Sequence, residues 1–251
     1  CDWSSDVCSS DLSVLELKNG QFVLEELKKY LLKNNFITES WNAFNVLIQN
    51  AATVGAIDLG FYNLNENNNY IFFDKLEKKE YKVLYLVGSD NLHIKKNDEF
   101  IIYQGSHGDK NAEIADIILP GAAYTEQDGL FTNLEGRVQE CRKASYPPNE
   151  AMEDWKIFEL ICKNLKNSNL FNNFISLRET TIKNIPNFSN LDQLPNKELK
   201  KIEKASEYFA NEKIEIKPID YYFSNSIARS SKTMSDCRNV FLENKKNGTT
   251  N

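Results

Sequence analysis

The sequence predicts an α/β domain, a mostly parallel sheet with flanking helices, continued by a helical C-terminal arm. Three observations carry that expectation. Two short runs of continuous apolar, β-rich character, Ile101-Ile102-Tyr103 and Ile117-Ile118-Leu119, stop at Gly105 and Pro120. A third, KVLYLV from Lys82 to Val87, ends in Gly88-Ser89-Asp90-Asn91. Runs without polar alternation belong to strands buried on both faces, the condition of parallel sheets. After Pro147-Pro148 the texture changes to amphipathic helical periodicity.

The elements follow in order. CDWSSDVCSSDL repeats SSD before Val7 and before Leu12 with no apolar periodicity, and it resembles translated adapter sequence. Residues 1–12 are therefore expected to be non-native, with the true chain continuing upstream. Ser13 to Leu17 is a strand candidate, and Phe22 to Lys33 a helix with Phe22, Val23, Leu27, Tyr30 and Leu31 on one face. Asn42 to Thr53 has helical period, Asn63 to Asn69 is a loop, and Tyr70 to Lys79 continues as a helix. Between the second and third strands, Asn111 to Asp116 has room for one or two helical turns. Asp128-Gly129 and Glu135-Gly136 mark turns. Asn149 can cap a helix over Ala151 to Leu165, with Trp155, Phe158, Cys162 and Leu165 on one stripe. Charged helices are expected over Glu198 to Asn211, anchored by Leu199, Ile202 and Phe209, and over Ser226 to Asn244, anchored by Met234, Val240 and Phe241. Lys245 to Asn251 should fray. The domain expectation is 13–146 for the α/β part and 147–251 for the helical arm.

Composition excludes several classes. A chain of 251 residues with 41% hydrophobic content can bury a core. A net charge of −6 argues against a nucleic-acid partner, which needs a concentrated basic face. Apolar runs fall well short of the roughly 18 residues of a spanning helix, so no direct membrane insertion is expected. Cys1, Cys8, Cys141, Cys162 and Cys237 are too scattered for cluster or zinc ligation, and the last three read as buried thiols.

No GxGxxG, Walker A, HExxH or GxSxG pattern occurs. In a parallel sheet, ligands bind beyond the carboxyl ends of the strands, which is where GSDN and QGSHGDK fall. His107 stands there beside Asp109 and Lys110, an arrangement more often structural than basic catalysis. Glu126, Asp128 and Glu135 offer carboxylates, yet carboxylates beside DG and EG are ordinary turn residues. Thr132, Asn133 and Arg137 supply hydrogen bonds, and Arg137 could clamp a phosphate or an acidic partner. No catalytic residue and no metal ligand is assigned.

The order ADIILPGAAYTEQDGLFTNLEGRVQ, Ala115 to Gln139, resembles a signature of the molybdopterin-dependent oxidoreductases. YQGSHGDKNAEIADIILPGAAYTE is similar to one branch, the large iron–sulfur subunit of respiratory complex I. Asn42 to Phe61, Tyr146 to Ile161 and Asp220 to Cys237 resemble further stretches of it in the same order. The resemblance implies a native C-terminal end and a cut N-terminal one. It implies iron–sulfur clusters on a missing N-terminal region and no cofactor on this fragment. Gly88-Ser89-Asp90-Asn91-Leu92 lacks the GxNP ending of catalytic relatives, and QGSHGDK replaces their TET-type loop. His107, Asp109, Lys110, Glu126, Asn133 and Arg137 would then line a relic crevice. Implied partners are other peripheral-arm subunits of complex I, at the cytoplasmic face of a bacterial inner membrane or the matrix side of a mitochondrial one. Two alternatives stand beside it: a fragment of a catalytic molybdenum enzyme of formate or nitrate type, and an adaptor binding a small anion in the old crevice.

Overall fold

The computed structural model describes residues 8–11, 19–38, 42–48, 50–61, 68–89, 92, 94–108, 110–166, 169–195 and 220–246. The expected strand at Ser13 to Leu17 and the expected helix at Glu198 to Asn211 lie outside the described residues. The chain divides into two compact units. Unit 1 comprises Cys1–Tyr62, Leu130–Glu140 and Thr181–Lys217; unit 2 comprises Asn63–Gly129, Cys141–Thr180 and Pro218–Asn251.

Unit 2 holds the parallel sheet. Strands β3 (Val83–Val87), β4 (Phe100–Gly105) and β5 (Ile117–Pro120) pair in sequence order, with Val83 beside Phe100 and Ile102 beside Ile117. All three expected strands are present, and Gly88, at φ +60°, turns the chain out of β3. Leu84, Leu86, Ile101 and Tyr103 point to one face and form the core with Leu76 of helix α3 (Asn68–Glu77), Ile94, and Ala112 of helix α4 (Lys110–Glu113). Each fully buried side chain of this size contributes about 1.5–3 kcal/mol. Asp116 ties the sheet's amino end: its carboxylate accepts the Ile101 N–H at 2.8 Å and Lys96 Nζ at 2.6 Å. The Ile101 hydrogen bond, then the one from Lys96, hold the Asp116 carboxyl below its ordinary range.

Helix α5 (Asp154–Lys166) starts three residues later than its apolar period suggests. Met152 is drawn to the sheet instead, its N–H donating to Pro120 O at 3.1 Å and its carbonyl accepting from Ala122 N–H at 2.8 Å. Two sheet-edge hydrogen bonds there displace the first helical turn. Ile157 is the buried residue of α5, whereas Leu165 is exposed. Unit 2 thus takes residues from both sides of the Tyr146–Pro147 boundary, because α5 packs on the sheet through Tyr85 and Phe158, whose rings meet edge to face at 5.8 Å. Helix α6 (Phe174–Asn184) follows. The expected Ser226 to Asn244 helix is broken into α7 (Ser226–Ser230) and α8 (Lys232–Lys246) at Ser231, whose ψ of 122° is extended. A 3₁₀ turn at Tyr221–Phe223 is held against α8 by Arg238, which pairs with Asp220 at 2.5 Å and covers the Phe223 ring.

In unit 1, helix α1 (Gly20–Lys33) buries Leu31 and packs Leu24 and Leu27 around Ile37 and Phe44; Tyr30 stands exposed. The helical period over Asn42 to Thr53 does not survive folding. Phe44–Leu47 is strand β2, and helix α2 covers only Thr53–Asp58. Asn42 Oδ1 accepts the Phe44 N–H at 3.0 Å, a local bond that competes with helix, and Phe44 and Val46 turn to the core on alternate residues. Strand β1 (Cys8–Asp11) pairs parallel with β2, so these four residues form an element. Backbone pairing needs no apolar side chain, which is why patterning missed it. Strands β6 (Gly129–Thr132) and β7 (Val138–Cys141) make a hairpin. Among the described residues no helix is long and apolar enough to cross a membrane.

Candidate functional site

The carboxyl edge of the β3–β4–β5 sheet is the place where the fold gathers polar groups. Strand β4 carries Gln104 into it fully buried, and a buried amide must find partners. Tyr85 donates its hydroxyl to Gln104 Oε1, and Gln104 Nε2 donates to Asp154 Oδ1 at 2.7 Å. Gln127 Nε2 reaches Asp154 Oδ2 at 3.3 Å, and the Asp154 N–H donates to Gln127 Oε1 at the same distance. Asp154 opens α5, where the helix dipole favours its charge. Burial first, and the Asp154 carboxylate second, push the Tyr85 hydroxyl above its ordinary value of 10.0, so it stays a donor.

Beside this network lies a second one. Glu153 is 4% exposed, and its carboxylate accepts Trp155 Nε1 at 2.9 Å, Lys143 Nζ at 3.0 Å and Lys156 Nζ at 3.1 Å. Burial raises its pKa, but the hydrogen bonds from Trp155, Lys143 and Lys156 outweigh burial and leave it below the ordinary value of 4.5. A depressed carboxylate contributes stability above its unfolded value and loses it as pH falls through the folded one. Urea midpoints measured from about pH 7 to pH 3 should therefore fall below about pH 4.5 in the native chain, and Glu153→Gln should flatten that segment of the profile.

The two loops are tied to each other by backbone acceptors. Asn111 Nδ2 donates to Ser89 O at 2.6 Å, joining the loop after β3 to α4, while Asn111 Oδ1 is sealed in with no hydrogen-bond partner. Tyr103 donates its hydroxyl to His107 O at 2.9 Å. The His107 ring lies against Ser106 Oγ, at 3.0 Å. Lys110 is exposed at the start of α4, and Asp109 lies outside the described residues. Glu126 closes its own turn, Oε2 accepting the Ala123 N–H at 3.0 Å, and Asp128 Oδ1 accepts the Lys143 N–H at 2.9 Å. Asn133 and Arg137 belong to unit 1 rather than unit 2. Asn133 Oδ1 accepts the N–H groups of Glu135 and Arg137 at 3.0 and 2.9 Å, and Arg137 Nη1 donates to Asp192 O at 3.3 Å. Both organise the β6–β7 turn.

Sequence reasoning did not single out Tyr85, Gln104, Gln127, Glu153 or Asp154. One signal was available: Gln104 is a polar residue ending the buried run IIYQ, and a buried amide requires company. Its partners come from 19 and 50 positions away, at Tyr85 and Asp154, a separation no local motif spans.

A molybdopterin oxidoreductase family model matches residues 12–164. The chain belongs to the molybdopterin oxidoreductase family. Following the family match, a model of the C-terminal region of the NADH-ubiquinone oxidoreductase G subunit matches residues 186–237. The chain is 35% identical over 235 residues to the NADH-ubiquinone oxidoreductase 75 kDa subunit of Reclinomonas americana, covering 92% of this chain and 33% of that protein. It is 36% identical to the NADH-quinone oxidoreductase G subunit of Rickettsia bellii, covering 87% and 31%. It is 35% identical to the mitochondrial NADH-ubiquinone oxidoreductase 78 kDa subunit of Candida albicans, covering 91% and 32%. The chain spans about a third of the length of these curated relatives.

The family's name implies a pterin, whose phosphate and ring need free donors and room. Around Asp154 the donors are already engaged. The amide donors of Gln104 and Gln127 are spent on the carboxylate of Asp154, a group that repels phosphate. The chain also closes on itself here: a Cβ on Gly121 would stand 2.8 Å from Asp154 Oδ1. The described residues around Asp154 do not fit the family's cofactor. Among the described residues, no three His, Cys, Asp or Glu side chains stand together where they could hold a metal ion.

Proposed function

We propose that this chain is part of the large peripheral-arm subunit of the proton-translocating NADH:quinone oxidoreductase, respiratory complex I, and that its work there is packing and assembly. The observation that carries the reading is the tandem order of the two family matches, molybdopterin oxidoreductase at 12–164 and the C-terminal region of the G subunit at 186–237. The self-satisfied edge of the sheet supports the second half of the proposal, since its donors and acceptors are consumed by helix α5.

In this reading electrons pass through iron–sulfur clusters held elsewhere in the subunit, and this part holds neither catalytic residue nor metal. Residues 1–12 are non-native, 13–146 descend from the pterin-binding domain, and 147–251 form the helical arm. His107, Asp109, Lys110, Glu126, Asn133 and Arg137 tie loops or meet neighbouring peripheral-arm subunits. The assembly sits at the cytoplasmic face of a bacterial inner membrane or its matrix counterpart. No nucleic acid and no membrane insertion of this chain enter the scheme.

The test is made on the intact gene product purified from its own membranes. It should co-purify with NADH:quinone oxidoreductase activity and carry iron without stoichiometric molybdenum or tungsten. One equivalent of either metal with pterin, and no association with that activity, overturns the proposal in favour of a catalytic molybdenum enzyme.

A further inference from the structure

We draw no further inference here: the strongest candidate, the apolar cavity of unit 1 between helix α2 and strand β6, walled by Gly55, Leu59, Leu130 and Phe188 and open beside the exposed Phe61 ring, carries nothing because nothing in the structure shows what covers it.

Discussion

Ile101→Ala lowers the unfolding free energy by about 2–5 kcal/mol, the cost of deleting a core aliphatic side chain that neighbours cannot collapse to replace. Ile101 has no exposed surface and stands in the middle strand of a three-stranded sheet, between Leu84 and the α3 and α4 residues Leu76 and Ala112. Its own N–H is held by Asp116, so the backbone stays in register while the side chain is lost. The result is a cavity rather than a rearranged strand. Urea unfolding followed by far-ultraviolet circular dichroism should show a lower midpoint with an unchanged slope. A changed slope would mean that the sheet itself had loosened. An unchanged midpoint would show that Ile101 does not hold this core.

Asp154→Ala costs about 1–3 kcal/mol for a different reason: it leaves the fully buried Gln104 amide without its acceptor. Gln127 loses its carboxylate partner in the same step. The loss has a spectroscopic companion. The Asp154 carboxylate is the second cause, after burial, of the raised Tyr85 pKa, so removing it moves the Tyr85 titration toward 10.0, read as phenolate absorbance against a Tyr85→Phe reference. The sign follows from linkage: with a folded value above the unfolded one, the Tyr85 contribution is complete below the unfolded value and disappears as pH rises through the folded one. Asp154→Asn keeps one carbonyl acceptor and should fall between the native chain and the alanine variant in stability. Equal stability of all three would separate the network from the fold and weaken the packing role proposed for this edge.

The strands of unit 2 were legible because each is a continuous apolar run closed by a Gly or Pro. The same rule failed at Phe44 to Leu47, where four strand residues sit inside a segment whose apolar spacing also fits a helix. Neither period decides such a short run; the side chain of Asn42 and the partner strand β1 do. Helix α5 was legible in its body and misplaced at its start, because Met152 joins the edge of β5, a contact with no local signature. The broken helix at Ser231 is of the same kind, since nothing in its apolar spacing interrupts the period.

The site divides along the same line. Loop composition alone located the polar carboxyl edge of the sheet, and the order of motifs alone placed the chain near the molybdopterin oxidoreductases. Both are properties of residues close together in the chain. Only the tertiary structure put Asn133 and Arg137 into a hairpin turn of unit 1 and turned Glu126 back on its own backbone. Only it brought Tyr85, Gln104, Gln127 and Asp154 into one hydrogen-bonded chain. Strand and turn preferences are set by neighbouring residues, whereas the pairing of a buried amide is set by whichever polar group the packed fold delivers within about 3 Å of it.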